Sequence, residues 1–356
     1  MSVLWDLRLF SYGYGTRGVG AYTTAVASSL VREHTNEPAY IWGEPRKVPS
    51  CLASAKTRWI PYRRGSWVRD LFTVPALALR YRIDRWHYWI ALGPIFRIGM
   101  GLWHPCPATA TVYDMGVELW HGVPYLDHVR ASRYWAVQKM IARSLRQVMC
   151  ISCSTAGDLV RVIPALQGRT RVVYPPLDHA MASDVRSRKS YFITLGGAPT
   201  KNLATVLRAF TRFRREGGRA RLVVLGELAA EEEIHGEVPA GVTFESMAGY
   251  HEHLRRCAGL LYCSSREGLG LPPLEAMARG CPLVVSDIAS VHETCEGAGI
   301  FVPPWDVDGC AAAMHELLRH RARWARASRE GAARYRAKAN RSLNAFTRRY
   351  PGGWLR

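Results

Sequence analysis

Acidic residues, long apolar runs and paired cysteines are scarce in this sequence, and each scarcity removes a class of protein. No stretch of the 356 residues approaches the roughly 18 consecutive apolar residues that a helix needs to cross a bilayer. The nearest candidate, WIALGPIFRIGMGLW, is short and broken by Pro94 and Arg97. The opening segment MSVLWDLRLF lacks a basic stretch followed by an apolar core, so no signal peptide is expected. Nine cysteines are scattered along the chain, and the one close pair, Cys150 and Cys153, has no second pair to complete a zinc site. They read as reduced core cysteines of a cytoplasmic protein. No cluster of His, Cys, Asp and Glu has metal-ligand spacing; Asp306 and Asp308 in DVD stand just before a helix and read as N-capping residues. No metal or cofactor is expected.

The shortage of acid leaves a formal charge of +19, with 48 Lys and Arg against 29 Asp and Glu. It is unevenly placed. Residues 1–178 hold 22 basic against 11 acidic residues, and residues 317–356 hold 12 against 1, while the middle is close to neutral. Nine of the twelve tryptophans precede residue 136, several among arginines, as in RWIPYRRGSWVRD and LRYRIDRWHYWI. Arginine interleaved with tryptophan suits an anionic membrane interface, with Trp59, Trp67, Trp86 and Trp89 the candidates from which exposed anchors would come. It also suits nucleic acid, although no recognisable reading motif is present and no nucleic-acid partner is expected. A basic, merely solvated surface is the plain alternative.

The apolar fraction of 48% and the charged fraction of 22% are those of a globular protein, and the length suggests two domains. Short apolar runs alternate with helical stretches in both halves, which implies α/β domains with doubly wound parallel sheets. In the first half, VLWDLRLF reads as a strand, TTAVASSLVRE as a helix and ATATVYDMG as a buried strand ending at Tyr113-Asp114. STAGDLVRVI reads as a helix capped by Ser154 or Thr155. A double proline in VVYPPLD marks an interdomain joint, and YFITLGGAPTKN restarts the pattern. Gly13, Gly15 and Gly18 fit the G-x-G-x-x-G dinucleotide fingerprint. The turn is long for that motif, and the best acidic partner at the second strand is Glu44. An NAD-dependent enzyme is therefore one alternative, and a basic nucleic-acid-binding protein another.

The densest chemistry lies in SSREGLGLPPLEAMARGCPLVVSD, residues 264–287. It reads as glycine turn, helix and strand, with Pro272 and Pro273 in the first helical turn and Gly280 at its end. Such a unit aims unpaired N–H groups at the mouth of a sheet, a site for phosphate. Glu267 and Glu275, eight positions apart, suit hydroxyls of a sugar or ribose. The plain alternative has Glu267 capping the helix and Glu275 in solvent. Ligands of open α/β sheets bind beyond the carboxyl ends of the strands, so the turns at 13–20, 196–202 and 268–271 are expected to face one cleft.

With these residues in view, the chain resembles a retaining GT-B glycosyltransferase of glycosyltransferase family 4. SSREGLGLPPLEAMARGCPLVVSDIASVHE is similar to the family's E-x7-E stretch, YFITLGGAPTKNLATVLRAF to the opening of its second domain, RGVGAYT to its first glycine loop and VVYPPLD to its joint. The resemblance implies two Rossmann-like domains facing across a cleft: 1–178 on the acceptor side and 179–333 binding the donor, with a C-terminal helix of about 334–356 packing back on the first. It implies a hexosyltransferase, mannosyltransferase-like, using a GDP- or UDP-linked nucleotide sugar and a glycan or polyprenyl-diphosphate-linked acceptor in cell-surface polysaccharide or lipopolysaccharide synthesis. The enzyme would sit on the inner face of the cell membrane.

In that family's terms Glu275 holds the ribose and Glu267 the transferred sugar. Gly268, Leu269, Gly270 and Leu271 face sugar and diphosphate, and Lys201 neutralises the leaving phosphate. Gly18 and Gly20 contribute from the first glycine loop, and Asp114 takes an acceptor-side role, with a turn cap as its plain alternative. The sequence departs from the pattern at Gly197, where an arginine is usual, so phosphate charge falls to Arg266 or Arg17. It departs again at Tyr113, where a histidine often stands; His121 is the candidate to compensate.

Overall fold

The computed structural model describes residues 2–16, 18–33, 39–53, 56–62, 65–92, 98–119, 121, 124–177, 189–226 and 238–348. The chain divides into two compact units, Met1–Pro176 with Ala339–Arg356, and Leu177–Lys338.

The first unit is built on seven parallel strands, β1 (Val3–Asp6), β2 (Ala39–Trp42), β3 (Arg58–Ile60), β4 (Arg85–Tyr88), β5 (Ala108–Val112), β6 (Gln147–Cys150) and β7 (Thr170–Val172). Their order is β3-β2-β1-β4-β5-β6-β7. β1 and β5 are buried along their whole length, as expected of parallel strands covered on both faces. β1 is shorter than the apolar run suggests: Arg8–Ser11 is a helical turn, because the Arg8 backbone and side chain both bond back to the Asp6 carboxylate. Trp86 and Trp89, candidates for interfacial anchors, are core residues here, 1% and 0% exposed. The helix Cys153–Val162 is capped by Ser152, which accepts from Thr155 N at 3.0 Å, rather than by Ser154 or Thr155. Cys153 therefore lies on a helix, and it and Cys51 are exposed, not core.

The second unit has six parallel strands, β8 (Tyr191–Leu195), β9 (Arg221–Leu225), β10 (Val242–Glu245), β11 (Gly259–Tyr262), β12 (Leu283–Ser286) and β13 (Ile300–Val302), in the order β10-β9-β8-β11-β12-β13. The winding reverses between β8 and β11, so the loops that leave these two neighbours diverge and open a crevice at their carboxyl ends. The helix Leu203–Arg215 is held on the sheet by Leu203, Val206, Phe210 and Phe213, spaced three, four and three apart on one face. Phe213 meets Phe192 of β8 edge-on at 5.8 Å. Burying each such ring contributes about 1.5–3 kcal/mol, enough to fix the loop that precedes the helix.

A 27-residue helix, Arg321–Thr347, ends the described chain. Its last turns belong to the first unit, where Ala339, Leu343 and Phe346 are buried and Ser342 Oγ accepts from Tyr174 N at 3.1 Å. Among the described residues no helix is long and apolar enough to cross a membrane.

Candidate active site

The crevice between β8 and β11 gathers the residues singled out in the second half. The loop after β8 makes a short turn, Pro199–Lys201, then reaches Asn202 in the left-handed conformation (φ 54°). Asn202 ties three segments together, donating from Nδ2 to the Cys263 and Pro304 carbonyls. Thr200 O accepts from Ser265 N at 2.8 Å, locking this loop against the one after β11.

The result is a compact polar cluster. Lys201 Nζ donates to Glu267 Oε1 at 2.7 Å and to the Tyr262 hydroxyl at 2.8 Å. Tyr262 and Ser264 also donate to Glu267 Oε1, at 2.5 and 2.6 Å. One carboxylate oxygen thus takes three partners, while Oε2 makes no hydrogen bond with any described residue and is left to accept from a ligand. Burial, followed by the nearby Glu267 charge, raises the Tyr262 phenol well above its ordinary range, so it stays protonated and donates. Glu267 does not cap the following helix. Gly270, left-handed at φ 89°, precedes Leu271–Ala278 and offers no side-chain cap. Leu269 is buried, its carbonyl accepting from Thr294 Oγ1, which fixes the Gly268–Leu271 backbone.

Glu275 lies on that helix, half-buried rather than solvated. Burial raises its carboxyl above the usual range, and the Tyr250 phenol and Arg279 guanidinium pull it part of the way back. A partly desolvated carboxylate with few partners is a strong acceptor for hydroxyls. Arg266, next to Glu267, is exposed and makes no ion pair with a described residue. Gly197 is exposed at φ 90°, a conformation that an arginine adopts only with strain. The missing arginine is thus matched by the backbone.

In the first unit the glycine loop folds onto the helix Gly18–Glu33. A Cβ at Gly20 would lie 2.4 Å from Gly15 O, so the loop and helix touch through bare backbone. The helical turn Arg8–Ser11 separates the strand from Gly13, which is not the strand-end glycine that a dinucleotide fingerprint requires. Arg17 lies outside the described residues. Asp114 accepts from Gly116 N at 2.7 Å, the geometry of a turn cap. Tyr113 is buried, its hydroxyl 2.6 Å from Thr23 Oγ1 and donating to Trp89 O at 2.8 Å. It braces the glycine-loop helix, and His121 is exposed.

Reading the sequence missed Tyr262 and Ser264, which look like ordinary strand-end residues. It also missed a buried cluster beneath β1. Arg8, 0% exposed, forks onto Asp6 (2.8 and 2.6 Å), bonds Asp70 at 2.5 Å and lies 3.8 Å from the Trp42 ring centre. Burial works against its charge, yet Asp6 and Asp70 outweigh burial and raise its pKa. Arg8 and Asp70 are 62 positions apart in sequence, and no local spacing announces their pairing.

Residues 189–320 match the family described as Glycosyl transferases group 1. The matched segment spans the whole second sheet, β8 to β13. It contains Lys201, Glu267 and Glu275. Over 190 residues, 50% of this chain and 53% of the relative, the sequence is 22% identical to the O-antigen chain mannosyltransferase RfbU of Salmonella typhimurium. The chain spans about half the length of the curated relatives it matches, or less. Likeness to solved structures extends over the whole chain. Sucrose-phosphate synthase (tll1590) from Thermosynechococcus elongatus superposes with a TM-score of 0.73 at 17% identity, covering 98% of both chains. Anabaena Alr3699/HepE, solved with UDP and glucose, gives 0.69 at 13% identity over 99% of this chain and 100% of that one. The two parallel sheets thus have the GT-B fold.

Proposed function

We propose that this chain is a retaining hexosyltransferase of glycosyltransferase family 4 that takes a sugar, mannose in our reading, from a nucleoside-diphosphate donor. The acceptor is a glycan or a polyprenyl-diphosphate-linked chain in cell-surface polysaccharide or lipopolysaccharide synthesis, and the enzyme works on the cytoplasmic face of the membrane without a metal. The observation that carries this reading is the pairing of Lys201 with Glu267 at the β8/β11 crevice, with Glu275 on the helix behind. The matched relative's name as an O-antigen mannosyltransferase, and the UDP and glucose in a neighbour of the same fold, support it.

In this assignment Glu275 accepts from the ribose hydroxyls and Glu267 Oε2 from those of the sugar. Breaking the bond between sugar and diphosphate builds negative charge on the leaving group, and Lys201 meets it. Because Glu267 already balances Lys201, Arg266 supplies the second positive charge. Tyr262 and Ser264 hold Glu267 so that Oε2 points to the ligand. Asp114 remains the acceptor-side residue in this proposal, with Gly18 and Gly20 allowing the backbone close approach.

Thermal unfolding with UDP, GDP, CMP, dTDP and NAD tests the reading. A ligand at 100 times its Kd adds about 2.7 kcal/mol, enough to rank them. Stabilisation by UDP or GDP is expected, and names the donor. Stabilisation by NAD alone overturns the proposal.

A further inference from the structure

The helix Trp67–Arg80 shows an inverted pattern: its outer face is apolar. Val68, Phe72, Ala76 and Leu79 are exposed, spaced four, four and three, and therefore fall on one stripe. Phe72 is 64% and Leu79 59% exposed, unusual for side chains of this size. Arg69 and Arg80, also exposed, run along one side of the stripe. The helix has one acidic residue, Asp70, and it faces inward, bonded to Arg8 and to Gly99 N at 2.8 Å. The surface is thus apolar and basic, without acid.

A second segment adds to it. Leu102 N donates to Leu71 O at 2.9 Å, and a Cβ at Gly101 would meet Val74 at 2.8 Å, so this stretch lies flush against the helix. It presents Leu102 and Trp103, both exposed, Trp103 at 50%. Core packing explains none of these five large side chains, since Val74, Pro75 and Ala78 already fill the inner face.

We infer that this face, Val68, Phe72 and Leu79 with Leu102 and Trp103, is where the protein enters the headgroup layer of an anionic membrane. Charge selects the occupant. The arginines on the helix, within a segment 1–178 of 22 basic against 11 acidic residues, complement anionic phospholipid. The apolar stripe buries in the acyl boundary, and Trp103 suits the interface itself. The inference deepens the membrane part of the proposed function and replaces Trp86 and Trp89 as anchors. It stands apart from transfer, because lipid binding is measured without donor or acceptor.

Vesicle flotation of the full chain is the test, using phosphatidylcholine alone and phosphatidylcholine with phosphatidylglycerol in equal parts. The wild type is expected to float with the anionic vesicles, and the Phe72→Ser/Leu79→Ser variant to lose at least about tenfold in partitioning. Met247→Ser, which removes an exposed apolar residue (46%) from the second unit, is expected to float as wild type. Hydrogen exchange of the wild type gives a reading that does not depend on the variant folding: amides of 67–80 and 98–103 should slow on anionic vesicles, and those of 203–215 should not. No flotation of the wild type overturns the inference. So does salt-sensitive flotation that the folded double variant retains, or unchanged exchange across 67–80. A wild-type dimer that the double variant dissociates assigns the face to a second copy and overturns it as well. Nucleotide stabilisation in solution is untouched by any of these results.

Discussion

Lys201 Nζ stands 2.7 Å from Glu267 Oε1, and the Tyr262 hydroxyl bonds to both. The lysine comes from the loop after β8 and the other two from β11 and the loop that leaves it, so the ion pair closes the crevice between these strands. Neither side chain is fully exposed, at 22% and 15%, and both are held by further bonds, so this pair is geometrically fixed in a way that surface pairs are not. Positive charge here is already placed when the donor arrives, which is what electrostatic catalysis requires.

Lys201→Ala is therefore expected to lower turnover by about a hundredfold while changing donor affinity little, because charge on the leaving diphosphate grows toward the transition state. Steady-state kinetics decides it. Arg266→Ala should show a similar loss if the second positive charge is supplied there. A near-normal Arg266→Ala rate beside a crippled Lys201→Ala rate makes Arg266 a surface residue.

Tyr262→Phe removes one of three bonds to Glu267 Oε1 and leaves a hydrophobic ring of the same shape. Removing a bond to a charged group costs roughly 1.5–3 kcal/mol, so the sugar step should slow by about tenfold or more. Binding of the free nucleoside diphosphate, measured by calorimetry, should stay as in wild type. Equal losses in both measurements would show that Tyr262 supports the nucleotide subsite instead.

Glu275→Gln should separate stability from binding. Burial raises the folded carboxyl above its unfolded value, so the ionised form is penalised by folding at neutral pH. The neutral amide escapes that penalty, and thermal unfolding of the variant should be unchanged or a few degrees higher. Nucleoside diphosphate affinity should fall, since the ribose loses a charged acceptor worth roughly 1.5–3 kcal/mol. A variant that binds as wild type removes Glu275 from the site.

How far the sequence reveals this molecule depends on the range of the interaction. Alternating strands and helices and the 264–287 stretch were legible because strand period, proline at a helix start and glycine at its end are local signals. Glu267 and Lys201 were legible as separate residues, but their bond was not, since it joins positions 66 apart through a sheet order that no local pattern encodes. Arg8 and Asp70 show the same limit. The tryptophans misled because composition reports how much aromatic surface exists and not which way it faces. Trp86 sits in β4 with both faces of the sheet covered, whereas the apolar residues exposed along the helix Trp67–Arg80 include the less conspicuous Phe72 and Leu79.

Loss of stability in acid is expected to run in part through His87. The ring is buried in β4 between Thr109 Oγ1, 2.6 Å from Nδ1, and Thr111 Oγ1, 3.0 Å from Nε2, with the Trp89 ring 4.6 Å away. Burial pushes its pKa down to about 3, so the folded protein keeps it neutral where the unfolded chain, with a pKa near 6.5, takes up a proton. The unfolded state then binds one more proton than the folded state between these two values. Stability contributed by the neutral ring is fully present above pH of about 6.5 and falls as pH drops, by about 1.4 kcal/mol per unit, until the folded ring itself titrates. Buried carboxylates with raised pKa values, Asp6 and Glu275, act in the opposite sense, so total stability is not the right readout. The difference between wild type and His87→Gln is, because it cancels them. Urea unfolding at pH 7 and at pH 5 should show the gap between the two proteins closing by roughly 2 kcal/mol as the pH falls. Parallel curves would mean that His87 is protonated in the folded sheet, with Thr109 and Thr111 both accepting.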